Sequence, residues 1–345
     1  MGRPSSDSAT AMIDCTAANG FVIQAIEDAL RLRDDDAFRC LITGPSADPK
    51  IAMFRNPFGT WFRGQNDDRW DLQPSIFRKG RYYDETSMIY RFELRAAASS
   101  SRCRSSFDWL CLMRHFELPT RLLDWSENLL VALYFASLPP DSTDGRLFVL
   151  NTRKLNSASR SFPNETFSIV PYRSKDVGPA VPWSLEVAIR ADMGRARTID
   201  DLRDLIDSLD RNYIEDATSL RNAKVKFSNN PDDILPGLLT PIAVLPNWLD
   251  TRMTLQQSMF TIHGGKFYAD GFSVGKDPTL LPLPVGFEAL GENLLEEDDF
   301  LLSVRLDGRS KQAIREQLLY VGVHEGSLFP ELDRQAAYLR SQSGF

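Results

Sequence analysis

The stretch ELPTRLLDWSENLLVALYFA, residues 117–136, joins a polar turn to a solid apolar block. Its second half continues as LLVALYFASL (residues 129–138), apolar on nearly every side, which predicts a buried helix. Pro139-Pro140 ends it, because proline cannot continue a helix. The free N–H groups of such a helix need a cap, and Asp124, Ser126 or Asn128 could each supply one. Capping takes one residue, however, whereas Thr120, Arg121, Asp124, Ser126, Glu127 and Asn128 lie within nine positions, with Trp125 among them. That surplus predicts a pocket. A helix N-terminus opening there would add a positive dipole end suited to a phosphate or carboxylate.

Working outward, TWFRG, GRLFVLN, PIAVLP, MFTIHG and FLLSVRL read as strands. Helices are predicted after Asp84 and Ser105, over RSKQAIREQLLYVG, and over FPELDRQAAYLRS with Pro330 in its first turn. GFVIQAIEDALRLRD places Phe21, Val22, Ala25, Ile26, Ala29 and Leu32 at helical spacing, with Asn19 as the cap. A further helix is expected over TIDDLRDLIDSLDRNYI. Strands scattered among helices predict an α+β fold: one large mixed domain with a central, partly antiparallel sheet flanked by helices. Residues 1–18 read as a mobile tail, 19–50 as an N-terminal helical segment and 51–345 as the main domain, with residues 152–240 as an insertion or lid.

The 345 residues carry a net charge of -7 and 43% hydrophobic residues, enough for a full core and unfavourable for a general polyanion binder. Cys15, Cys40, Cys103 and Cys111 form no C-x-x-C pair and are expected reduced. With neither an apolar signal core nor a run of about 18 apolar residues, a cytoplasmic protein without membrane contact is expected. The common phosphate loops, hydrolase elbows and HExxH zinc motifs are missing from the sequence. Its only close Cys/His pair is Cys111 and His115, so no metal site is expected. The acidic run at 296–299 reads as a solvated cap.

Arg63, between Phe62 and Gly64 at a strand end, calls for an anion. Asp67, Asp68 or Asp124 could supply it structurally. A ligand phosphate is the alternative, with Gly64 allowing close backbone approach. A third polar group is Arg252, Gln256 and Gln257, before a strand ending at His263. His115 and His263 can each be read as a neutral core imidazole.

Together WFRGQNDDRWDLQPSIFR, WLCLMRHFELPTRLLDWSENLLVALYFA, RMTLQQSMFTIHG and GSLFPELDRQAAYL resemble the successive motifs of the FRG domain family, named for a Phe-Arg-Gly that stands here at 62–64. Two departures are visible. The family's Gln-His-Tyr-Gly run is replaced by Arg114, His115, Phe116 and Glu117, and a family glycine by Ser258. The order of the motifs is also similar to that of ADP-ribosyltransferases, with Gln256 and Gln257 where many such enzymes use a glutamate. That similarity implies NAD as substrate, with Arg63 on its pyrophosphate, residues 120–128 around the nicotinamide ribose, and Trp125 or Phe62 against the nicotinamide. Asp124 or Glu127 would stabilise an oxocarbenium-like ribose, and Gln257 or Glu127 would orient the acceptor.

The catalytic candidates are thus Arg63, Arg121, Asp124, Glu127 and Gln257. The ligand-binding candidates are Phe62, Gly64, Gln65, His115, Thr120, Trp125, Ser126, Asn128, Arg252, Gln256 and His263. The expected activity is ADP-ribosyl transfer or NAD hydrolysis, with a protein or nucleic acid as a possible acceptor. The alternative is a non-catalytic module for a nucleotide, another anionic small ligand, a nucleic-acid end or a protein segment. A nuclease is the third reading.

Overall fold

The computed structural model describes residues 17–35, 59–78, 85–96, 106–152, 241–263 and 300–343, with the short strand Tyr172–Arg173 and a few isolated positions besides. Eight strands form one mixed sheet in the order β1-β8-β4-β2-β3-β7-β6-β5. In chain order they are β1 (Ala17–Ile23), β2 (Thr60–Gln65), β3 (Leu122–Ser126), β4 (Gly145–Asn151), β5 (Tyr172–Arg173), β6 (Ile242–Leu245), β7 (Ser258–Ile262) and β8 (Leu301–Leu306). The β1/β8 and β5/β6 pairs are parallel and the others antiparallel. The described helices are α1 (Ile26–Arg31), α2 (Glu85–Arg95), α3 (Ser106–His115), α4 (Leu129–Ala136), α5 (Thr251–Leu255), α6 (Lys311–Tyr320), α7 (Glu325–Leu328) and α8 (Leu332–Ser343). The α+β expectation holds. None of the helices is long and apolar enough to cross a membrane.

Strand alternation divides the core. On β4, Leu147 and Val149 join α1, α4 and α6 in one cluster, while Phe148 and Leu150 join Trp61, Leu123, Trp125, Met259 and Phe300 in another. A third cluster packs Phe107, Leu110 and Met113 of α3 on Leu122, Phe260 and Ile262. The apolar predicted helix is indeed buried, with Val131, Ala132, Leu133 and Ala136 almost wholly withdrawn from water.

Three sequence expectations need correction. Residues 19–23 are strand, and helix α1 starts only at Ile26. β1 reaches back into the supposed tail and lies along β8, with Ile23 opposite Leu306. The Asp28 carboxylate accepts the Gln24 and Ala25 N–H groups and fixes the true helix start. Second, LLDWS is a strand instead of a polar turn. All five of its residues pair with β7, from Leu122 opposite Ile262 to Ser126 opposite Ser258. Third, α8 begins at Leu332, two residues beyond Pro330. The helix expected over residues 198–214, the caps Asp84 and Ser105, the acidic run at 296–299 and most of the insertion lie outside the described residues.

Candidate functional site

The site begins with how α4 sits on β2. A Cβ on Gly64 would lie 1.9 Å from the Ala132 carbonyl oxygen and 2.5 Å from the Ala136 nitrogen. One on Gly145 would lie 2.4 Å from the Ala136 oxygen. Gly64 therefore admits a helix at close range. Asn128 caps α4 through its side-chain oxygen to Leu130 N–H at 2.9 Å. Ser126 Oγ accepts from Asn128 N–H at 2.9 Å and donates to the Gln256 carbonyl at 2.7 Å. Both residues thus build the entry to α4.

Beside this entry lies a cluster of arginines. β2 and β3 pair only at Phe62 and Ser126. Arg63 Nη1 donates to the Asp124 main-chain oxygen at 2.5 Å and lies 3.7 Å from its carboxylate. From α3, Arg114 grips the same carboxylate through Nε at 3.0 Å and Nη2 at 2.7 Å, the fork geometry of strong arginine pairs. Asp124, not Asp67, is the partner of Arg63, since Asp67 is engaged by Arg69 at 2.6 Å.

Burial pushes the Arg63 pKa down to about 10, against the attraction of Asp124 and helped by repulsion from Arg114 and Arg78. Its Nε is buried with no hydrogen-bond partner among the described residues. Exposed Arg78 is lowered by partial desolvation and by Arg114. Burial alone would raise the Asp124 carboxyl, but Arg114 and Arg63 outweigh it and hold it below its ordinary value. Among the described residues three guanidiniums thus surround the Asp124 carboxylate, while Glu117, itself paired with Arg334, attracts only Arg114, and positive charge is in surplus.

Beside the far end of β3, the successive main-chain carbonyls of Gln256, Gln257 and Ser258 are taken by the end of β3 and by Trp248. Ser126 Oγ donates to Gln256 O, Glu127 N–H to Gln257 O at 3.2 Å, and Trp248 Nε1 to Ser258 O at 2.9 Å. Gln257 adopts φ 47°, a left-handed conformation uncommon outside glycine. Burial pushes the Glu127 carboxyl up, and that carboxyl makes no hydrogen bond or ion pair among the described residues. Gln256 is turned away, its side-chain nitrogen on the Leu328 carbonyl at 3.1 Å.

Several candidates belong to the core. Trp125 is 3% exposed, and its indole N–H donates to Thr261 Oγ1 at 3.0 Å, which in turn meets His263 Nε2 at 3.0 Å. Trp125 cannot stack on a ligand while it fills that place. Phe62 is partly buried under α4. Thr120 and Arg121 are also buried, the latter 2% exposed. The Arg121 carbonyl accepts from His263 N–H at 3.2 Å, tying the two candidates together through the backbone. Gln65 is buried with its side-chain nitrogen on the Asp71 carbonyl at 3.3 Å.

His115 and Arg252 stand apart, against the C-terminal segment. His115 Nδ1 lies 3.2 Å from Asp250, and Arg252 lies 3.5 Å from Glu331 and over the Phe329 ring. Sequence reasoning left out Arg114, Arg78, Trp248, Asp250 and Glu331. Arg114 was the most legible of these, being a charge that directly follows the apolar run Trp109–Met113 of its helix.

Residues 59–144 match the family model of the FRG domain, a span that includes β2, α3, β3 and α4 and therefore the arginine cluster. The segments bearing Gln257 and Glu331 lie beyond it. No curated protein and no solved structure shows significant similarity to the chain.

Proposed function

We propose that this FRG-domain chain binds a diphosphate-bearing nucleotide, NAD first among the candidates, and transfers or hydrolyses its ADP-ribose. The observation that supports the reading is the surplus of positive charge where Arg63, Arg78 and Arg114 meet Asp124. A phosphate balances that excess and gives the buried Arg63 Nε an acceptor. Asp124 then holds two arginines in place and is not the reacting carboxylate.

Glu127 is three residues further along the chain, roughly 10 Å in extended backbone, a span suited to a ribose attached to a diphosphate. Its free carboxylate would face the positive charge that develops at the ribose C1′. The C1′–N bond breaks with its electron pair leaving on nicotinamide. An acceptor oxygen, from water or from a protein or nucleic-acid group, bonds to C1′ and gives up its proton to solvent water. Gln257, held by Glu127 N–H, orients an acceptor hydroxyl but takes no proton. A second reading, a nucleotide-binding module without chemistry, is favoured by one feature: Asp124 is already engaged by arginines, which leaves Glu127 as the only candidate carboxylate.

The test is incubation of the full chain with NAD, following binding and nicotinamide release together. Arg63→Ala is expected to weaken binding about ten- to a hundredfold, the worth of a charge-assisted contact. Glu127→Gln is expected to abolish release while binding persists. Binding without release in the native protein selects the module. No binding of NAD or of inorganic pyrophosphate defeats both readings.

A further inference from the structure

The last turn of α3 carries two neighbours with different duties. Arg114 serves the arginine cluster, while His115 turns to a second group of charges built from distant segments. His115 Nδ1 lies 3.2 Å from Asp250 Oδ2 at the start of α5, and its Nε2 lies 3.8 Å from Glu331 Oε1 just before α8. Arg252 of α5 approaches the same Glu331 oxygen at 3.5 Å. Both Glu331 oxygens, Asp250 Oδ2 and His115 Nδ1 are buried without a hydrogen bond of good geometry among the described residues.

The other groups around this centre are accounted for. Arg334 pairs with Glu117 at 3.1 Å and Glu325 at 3.8 Å. Arg334 and Arg252 both lie over the Phe329 ring. Cys111 of α3 is kept as a neutral thiol by burial. Phe116 meets His115 edge-on. Among the described residues the inner group therefore holds two carboxylates against one arginine and the Met253 N–H that Asp250 caps, and an imidazolium completes the balance of charge.

We propose that His115, Asp250 and Glu331 form a proton-operated clasp that fastens the C-terminal segment, residues 324–343, to the last turn of α3. With His115 protonated, each carboxylate has a cation beside it and the segment is held. When the proton leaves, Asp250 keeps only the Met253 N–H that it accepts as the cap of α5, Glu331 is left with Arg252 alone, and the segment that Glu331 ties down loosens. The clasp does not depend on the identity of the ligand. Because it bears on the turn that carries Arg114, it gives the arginine cluster a route to sense pH.

The test is hydrogen exchange of the backbone amides of residues 325–343 in the full chain at pH 5.5 and 8.0, corrected for intrinsic exchange. Protection about tenfold greater at the lower pH is expected, one charge-assisted contact's worth. His115→Gln should remove the pH dependence and leave low protection at both values. His115→Lys, a cation at both values, should restore protection at both. Glu331→Gln, whose site is more open, should flatten the profile even where a His115 variant fails to fold. Equal protection at both pH values in the native chain, or a His115→Gln profile that follows the native one, overturns the proposal.

Discussion

Gly64→Ala separates a packing role for the FRG glycine from a ligand-binding one. The new methyl would start 1.9 Å from the Ala132 oxygen and 2.5 Å from the Ala136 nitrogen, both main-chain atoms of α4 that no rotamer change can move. Ordinary contact needs well over 3 Å, so α4 must lift from β2 by more than 1 Å. Lifting it opens the cluster in which Val131, Ala132, Leu133 and Ala136 are buried. Overpacking of this kind costs about 1–3 kcal/mol, occasionally more. The substitution also removes a glycine from a strand, a gain of about 0.5–1 kcal/mol. Because the obstacle is backbone, we expect the upper part of the range, a net loss of about 2–3 kcal/mol. Urea unfolding should show it as a lower midpoint with an unchanged slope. An unchanged midpoint together with lost pyrophosphate binding would refute the reasoning and return Gly64 to a ligand.

Two further predictions concern charged groups held by specific partners. Asp124 is held below its ordinary 3.8 by Arg114 and Arg63 despite its burial, so its contribution is complete above the ordinary carboxylate range and is lost as pH falls through the depressed value. Asp124→Asn should cost about 1–2 kcal/mol at pH 6, allowing for solvent screening, and the gap to the native protein should close below about pH 4 in denaturation curves; a constant gap would count against the pairing. Lys311 is fully buried, its Nζ donating to the carbonyls of Asn66 at 2.6 Å, Leu138 at 3.3 Å and Pro140 at 2.9 Å. Lys311→Met leaves three acceptors without their donor and should cost about 2–4 kcal/mol in urea unfolding, whereas unaltered stability would mean that water replaces the ammonium.

Local patterns made much of the fold readable. β2, β4, β6, β7 and β8 are short apolar runs with turn residues around them, and α4 is an apolar run between a cap and a proline pair. The errors came where a partner far along the chain overrode local pattern. Phe21 and Val22 fit a helix stripe, but β8, almost 300 residues on, offers a strand edge to them. Leu122–Ser126 looks polar because Asp124 and Ser126 alternate with Leu123 and Trp125, and only β7 reveals it as strand. The same distance hid the second charged group, for nothing near Glu331 in sequence points to His115. Glu117, just past the end of α3, takes φ 61°, the left-handed turn that commonly ends a helix.

The order of the strands also sets a timetable for synthesis. β1 leaves the ribosome well before its described partner β8, which starts at Leu301. At about 5–20 residues per second, the first strand waits roughly 15–60 s with its apolar residues unsheltered. During that interval β2, β3 and β4 can already associate, so the nascent chain holds a partial sheet whose β4 edge lacks β8. That open edge is the one onto which a misplaced strand would add until β8 is made.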